Sequence, residues 1–213
     1  MINFGQFMEI VIATHNNDKL KELLKAFSHH FKDIKLLTLN DFPDIGEIIE
    51  DGTTLKDNAL IKARTVHKLT SLPAISDDTG LAVDALNGEP GVYSARYAGE
   101  NCTYLDNVNK MLSEMKNIPQ NKRTATFTTV MAYVDDKMEL TAKGVVKGII
   151  TNKIKGIGGF GYDSIFYVYN KGKTFSEMNI EEKNLVSHRS KAIETLKVKL
   201  ATYLTNLNIK ENA

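Results

Sequence analysis

Residues 8 to 27 read MEIVIATHNNDKLKELLKAF, and their patterning decides the class of fold. Met8 to Thr14 form an almost unbroken apolar, β-branched run, as a strand buried on both faces of a parallel sheet requires. The polar HNND breaks that run. DKLKELLKAF then places Leu20, Leu23, Leu24 and Phe27 at i, i+3, i+4 and i+7, the apolar stripe of a helix, with Asn17 or Asp18 available to cap it. A strand, a short polar loop and a helix make the first half of an α/β unit. Such a junction aims unpaired backbone N–H groups and the positive end of the helix dipole at whatever lies above the strand, which suits a phosphate. The loop holds no glycine, so it is not a Walker loop. Its phosphate reading rests on Lys19 lying near Thr14 and Asn16.

Working outward, residues 34–39 (IKLLTL) read as the next strand. A polar stretch with Pro43 and Gly46 follows and ends in the acidic patch Glu47, Glu50 and Asp51. TTLKDNALIKARTVHKL then starts with a capping box, Thr54 to Asp57. At 100° per residue, Leu55, Ala59, Val66 and Leu69 fall within about 80° of one another, and Lys62 falls inside that stripe. A lysine on a buried face loses hydration. It either finds an anionic partner or snorkels to the edge of the core.

Residues 75–100, ISDDTGLAVDALNGEPGVYSARYAGE, are the richest in local demands. The apolar lead Leu72 to Ile75 predicts a short buried strand, with Asp77 and Asp78 where it runs out, the usual ligand position in open α/β sheets. Gly80, Gly88, Pro90 and Gly91 predict tight turns. The competing reading is a turn-rich connection with a helix start capped at Asp78. Downstream, Thr103 predicts the cap of a helix burying Leu105, Val108, Met111, Leu112 and Met115. RTATFTTVMAYVDD and MELTAKGVVKGIIT predict a long antiparallel hairpin joined at Asp135 to Lys137. In the loop KIKGIGGFGYD, Phe160 and Tyr162 are interleaved with glycines, a slot suited to a flat ligand. Ser187 predicts the cap of the last helix, which turns Ala192, Ile193, Leu196, Leu200 and Tyr203 inward. His188 and Arg189 then fall in its first turn, where cations oppose the dipole at a cost of a few tenths of a kcal/mol. With Lys183 they form a donor trio that could converge on one acceptor.

Composition excludes several classes. A chain of 213 residues can bury one good core, or two lobes of roughly 100 residues each. A net charge of +1 sets up no general field for polymeric nucleic acid or a membrane, so a charged ligand must be held locally. Cys102 is the one cysteine, which excludes an internal disulfide, and no His/Cys spacing fits zinc. The N-terminus lacks the features of a signal peptide, and a cytoplasmic protein is expected. Met8 opens a better strand than Met1, so residues 1–7 read either as a loose extension or as lying ahead of an alternative start, in a single domain spanning 1–213.

Combined, an acidic cluster (Glu50, Asp77, Asp78), cations near strand ends (Lys19, Lys62), an aromatic loop (Phe160 to Asp163) and the donor trio describe a nucleotide polyphosphate held through magnesium. At this point the chain closely resembles the inosine triphosphate pyrophosphatase family. The resemblance runs from about Glu9 to Tyr203 and rests on ATHNNDK, EDGTTLKDNALIKA, SDDTGLAVDALNGEPGVYSARYAG, GGFGYD and EKNLVSHRSKA, in the family's order.

The resemblance implies an elongated two-lobed α/β fold, a mixed sheet with flanking helices and a cleft between the lobes, and a homodimer. It implies hydrolysis of ITP, dITP and XTP to the monophosphate and pyrophosphate with Mg²⁺ as cofactor. Thr14, His15, Asn16, Asn17, Asp18, Lys19 and Lys62 are implied to contact phosphates, and Thr79 to touch the substrate. Asp78 is implied as general base and metal ligand with Glu50, Asp77 being a weaker candidate. Phe160, Gly161, Tyr162, Asp163, Lys183, His188 and Arg189 are implied to hold the base. Two positions depart from the family's habit: His15 stands where TGN is common, and Thr79 where SDDSGL is common. Two alternatives remain open at this stage, a phosphohydrolase with an aspartyl nucleophile at Asp77 and a nucleotide-binding regulator without catalysis.

Overall fold

The computed structural model describes residues 8–28 and 34–211, and the expected extension at residues 1–7 lies outside the described residues. The first run of the sequence forms strand β1 (Met8–Ile12) and helix α1 (Asn17–Ser28), followed by β2 (Ile34–Thr38). β1 pairs in parallel with β2, Met8 opposite Ile34, and with β3 (Ala74–Val83), Val11 opposite Ala74. Between β2 and β3 runs α2 (Leu55–Thr70). Then come the short strand β4 (Pro90–Gly91), α3 (Tyr104–Glu114), β5 (Thr124–Val134), β6 (Glu139–Ile150), β7 (Phe166–Val168) and β8 (Lys173–Thr174). Helices α4 (Ile180–Asn184) and α5 (His188–Glu211) end the fold. The sheet order is β2-β1-β3-β5-β6-β7-β8, with β4 pairing antiparallel to β3. This is the mixed α/β sheet with flanking helices that the sequence predicts.

The chain divides into two compact units. Among the described residues, the first holds those up to 78, 130–143 and those from 192 onward; the second holds 79–129 and 144–191. In the first unit two apolar clusters form. One joins Ile10 and Ile12 of β1, Leu23 and Phe27 of α1, and Ala192, Ile193, Leu196 and Leu200 of α5. The other joins Val11 and Ala13 to Ala59, Ala63 and Val66 of α2. Alternate residues of β1 thus face opposite clusters, as its period of two dictates. The second unit has its own core, built from Leu81, Val83, Val108, Met111, Met115, Phe127, Phe166 and Phe175.

Arg123 sits inside that second core, 3% exposed. Its guanidinium donates Nε to Ile150 O (2.7 Å), Nη1 to Met115 O (2.6 Å) and Ile118 O (3.1 Å), and Nη2 to Thr151 O (2.8 Å). These carbonyls belong to the exit from α3 and the end of β6, so one side chain staples two chain turns that no regular ladder satisfies.

Three local expectations are corrected. Asn16, not Asn17 or Asp18, caps α1: its Oδ1 accepts the N–H groups of Asp18 and Lys19, both at 3.0 Å. A cap needs an extended residue just before the helix, and the helix begins one position earlier than the apolar stripe indicates. β3 does not run out at Asp77 and Asp78 but continues to Val83. The backbone ladder is indifferent to side-chain charge once each carboxylate finds partners. Leu69 and Leu105, placed on buried stripes, are 61% and 55% exposed. Both lie in terminal turns, where the stripe outruns the surface that covers it.

Candidate active site

In the first unit, the cap geometry positions a lysine–carboxylate cluster. Asn16 starts α1 so that Lys19 stands in its first turn, and Lys19 Nζ lies 3.3 Å from Asp77 Oδ2. Thr54 caps α2 by accepting the Asp57 N–H, and one helical turn beyond Asn58 the same helix presents Lys62. Lys62 Nζ donates to Glu50 Oε2 at 2.6 Å and faces Asp78 Oδ1 at 3.8 Å. The buried lysine on the apolar stripe therefore has anionic partners, and snorkelling does not explain it. Asp77 is 1% exposed and Asp78 8%.

Burial pushes the Asp78 carboxyl pKa up from its ordinary value. Lys62 and Lys19 pull the other way, and Glu50 and Asp77 reinforce the rise. Among the described residues no group of three or more His, Cys, Asp or Glu side chains could hold a metal ion by themselves. Glu50 and Asp78 nevertheless fit magnesium, which takes hard oxygen donors and is commonly bound through one or two carboxylates with substrate phosphates completing the shell. Both carboxylates already face one cationic centre, the Lys62 ammonium.

The rest of the first loop is arranged more loosely. Thr14 Oγ1 accepts the Asn16 N–H (3.2 Å), fixing the turn. His15 is exposed and bonds Gly46 O through its ring at 3.2 Å. Asn17 is exposed and Asp18 half-buried in the first turn of α1. His15 and Asn17 are thus not brought into the ion-paired cluster.

In the second unit, a different cluster gathers around Phe160. Lys183 Nζ lies 5.0 Å and Arg189 Cζ 5.4 Å from the centre of its ring, both within cation–π range. Lys183 also donates to Asp163 Oδ2 at 2.7 Å, and that oxygen accepts the Phe160 N–H at 3.1 Å. Asp163 therefore fixes both the turn and the lysine. Arg189 Nη2 donates to Thr79 Oγ1 (3.3 Å), and Thr79 shares a 2.7 Å hydroxyl contact with Thr129. His188 is 3% exposed and stacks on Phe127, ring centres 4.4 Å apart and 10° from parallel. The first-turn side chains of α5, His188 and Arg189, are thus buried and engaged. Tyr162 packs into the core and donates its hydroxyl to Ser94 O (2.9 Å), while Gly161 takes a left-handed φ of +59°.

Gly159 is required by this geometry. Its φ is +73°, and a Cβ there would collide with the Asp163 carboxylate. Gly159→Ala is expected to lower stability by about 1–3 kcal/mol, combining strain with displacement of Asp163. A melting curve checks this, and an unchanged midpoint would show that the turn tolerates a side chain.

Sequence reasoning missed Asn58, Phe127 and Thr129. Asn58 carried a signal, a polar residue one turn before Lys62 and on the same face of the helix. Phe127 and Thr129 carried none, since they look like ordinary alternating residues of a strand.

Fold and side-chain clusters together define a mixed α/β protein with an ion-paired carboxylate centre and a cation-on-ring centre. The chain belongs to the Ham1 family, whose profile matches residues 10–199. It is 46% identical over 189 residues to a Geobacter sulfurreducens protein named dITP/XTP pyrophosphatase, covering 88% of this chain and 94% of that one. To the dITP/XTP pyrophosphatase of Escherichia coli (strain K12) it is 44% identical over 193 residues, 88% of this chain and 95% of the other. Among solved structures, a HAM1 protein from Coxiella burnetii superposes with a TM-score of 0.83 at 39% identity, covering 92% of this chain and 99% of that one. The nucleoside-triphosphatase / dITP/XTP pyrophosphatase of Mycobacterium abscessus superposes with a TM-score of 0.73 at 40% identity, covering 89% and 98%. Among the described residues no helix is long and apolar enough to cross a membrane.

Proposed function

We propose that this protein hydrolyses deaminated purine nucleoside triphosphates (ITP, dITP and XTP) to the monophosphate and pyrophosphate, keeping them out of DNA and RNA. The observation that carries the reading is the convergence of Glu50 and Asp78 on Lys62 in a member of a family whose relatives are named for this activity. Lys19 and Lys62 bind phosphate oxygens and stabilise negative charge on the departing pyrophosphate. The Thr14 hydroxyl and the positive end of the α1 dipole favour the same group. Asp78, its carboxyl raised by burial, takes the proton of the attacking water. Glu50 and Asp78 would hold Mg²⁺, which when bound neutralises phosphate charge. No covalent intermediate is required.

The second unit reads the base. Hypoxanthine and xanthine present an acceptor at O6 where adenine presents an amino group. Lys183 and Arg189 satisfy the acceptor and leave the amino group facing other donors, at about 1–3 kcal/mol for each unsatisfied buried group. Phe160 offers a face for stacking. Lys183→Ala and Arg189→Ala are each expected to lower the ratio of kcat/KM for ITP over ATP about tenfold. An unchanged ratio would mean that the base is read elsewhere.

The deciding assay is pyrophosphate release from a panel of nucleoside triphosphates, with and without Mg²⁺. ITP, dITP and XTP should be cleaved in a metal-dependent way and ATP poorly. Orthophosphate in place of pyrophosphate would sink the reading in favour of an aspartyl-phosphate enzyme. Binding without turnover would favour a regulator. A homodimer is part of the proposal, checked by light scattering.

A further inference from the structure

Asn58 belongs to none of the roles assigned so far, yet it is 2% exposed and uses both ends of its amide. Its Oδ1 accepts the Gly52 N–H at 2.8 Å, and its Nδ2 donates to Asp78 Oδ2 at 3.2 Å. Because a backbone N–H only donates, the amide oxygen must face Gly52, which leaves the amino group for the carboxylate. Gly52 lies two residues after Glu50. Asn58 and Lys62, four residues apart on α2, therefore face the same way and hold the same loop and the same carboxylate. Lys62 binds the Glu50 carboxylate and faces Asp78; Asn58 binds the backbone just past Glu50 and the other oxygen of Asp78.

We propose that Asn58 is a positioning residue that ties the loop carrying Glu50 to the carboxylate of Asp78, and so sets the spacing and orientation of the two carboxylates. The Gly52 geometry supports this independently. A Cβ at Gly52 would lie 2.6 Å from Asn58 Oδ1 and 2.7 Å from Asp57 Cβ, so the loop approaches the helix as closely as only a glycine allows. The Thr54 cap fixes the first turn of α2 and with it the place from which Asn58 reaches out. A carboxylate held by a directed N–H on one oxygen presents its other oxygen in a defined direction, whereas a lysine, a rotating point charge, does not orient it. The proposal rests on the metal-dependent pyrophosphatase reading for its functional meaning.

Two variants test it. Asn58→Leu keeps the volume and removes the amide. It is expected to lower kcat about 10–100-fold and to weaken Mn²⁺ binding, read from the Mn²⁺ electron paramagnetic resonance signal, by a similar factor. The KM for ITP should move by less than about threefold, since binding of phosphate and base is untouched. Asn58→Asp keeps the shape and the acceptor for Gly52 but turns an oxygen toward Asp78. It should lose kcat comparably, which a role limited to anchoring the loop would not produce. If Asn58→Leu fails to fold, Asn58→Asp decides. Wild-type kcat in a folded Asn58→Asp, or wild-type kcat and Mn²⁺ affinity in a folded Asn58→Leu, overturns the proposal. Absence of pyrophosphate release by the parent protein would instead overturn the functional reading, and the Mn²⁺ titration of Asn58→Leu would still test the positioning role.

Discussion

Asp78→Asn is expected to lose turnover by about 10²–10⁴-fold and at the same time to melt at a higher temperature than the parent protein at neutral pH. The first follows from removing the group that takes the proton, the second from burial, which raises the Asp78 carboxyl pKa. The folded state holds this proton more tightly than the unfolded chain does. The stability linked to it is therefore complete below the ordinary carboxylate pKa and is lost as pH rises through the raised value. At neutral pH the ionised Asp78 is a net burden, only partly offset by Lys62 at 3.8 Å. An amide of the same shape removes the burden and cannot take a proton from water. The midpoint should rise by about 2–4 °C for each kcal/mol of relieved penalty, and the advantage should shrink as the pH falls through the carboxylate range. Calorimetry with ITP should show binding retained. Full turnover would refute the general-base assignment, and a lower midpoint at neutral pH would show that the ion pair with Lys62 outweighs burial.

The largest stability effect is expected at Arg123, a residue with no role in the proposed chemistry. Its guanidinium serves four backbone carbonyls with donors arrayed in one plane. Arg123→Met preserves most of the volume and strips every donor; Met115 O keeps the Ile118 N–H at 3.1 Å, while the other carbonyls lose their guanidinium donor. At about 1–3 kcal/mol for each buried carbonyl left without a donor, the total is about 3–5 kcal/mol, which for a chain of this size corresponds to roughly 6–20 °C in the midpoint. Arg123→Lys should rescue little, since one ammonium cannot span carbonyls on two separate turns. A midpoint within a degree or two of the parent in Arg123→Met would show that water replaces the guanidinium. Burial also pushes the Arg123 pKa down, yet from so high a starting value that the group stays charged.

Local signals and long-range ones were unequally legible. The βαβ start could be read because a β-branched run and a 3.6-residue stripe are properties of neighbouring residues. Lys62 was legible as an anomaly, a charge on an apolar stripe, and its partner Glu50 was already suspect as part of an acidic patch. His188 and Arg189 were legible because cations at a helix N-terminus cost energy that something must offset. Leu69 and Leu105 were misread because periodicity reports which side of a helix faces inward and not how far along it the cover extends. Asp77 and Asp78 were misplaced at a strand end because charge suggests an exit from the sheet, while the ladder that continues to Val83 depends on backbone pairing with β4.

The sequence by itself determined the α/β class, the order of its longer elements and the family. It also singled out the lysines, carboxylates and aromatic loop, because these follow from local pattern and from motif order along the chain. Only the tertiary structure decided how they pair. Lys62 lies between Glu50 and Asp78, Lys183 on Asp163 and over Phe160, His188 on Phe127, and Asn58 between Gly52 and Asp78. A side chain's partner is set by which surfaces packing brings within about 3 Å, and that distance is written nowhere in the spacing of residues along a chain.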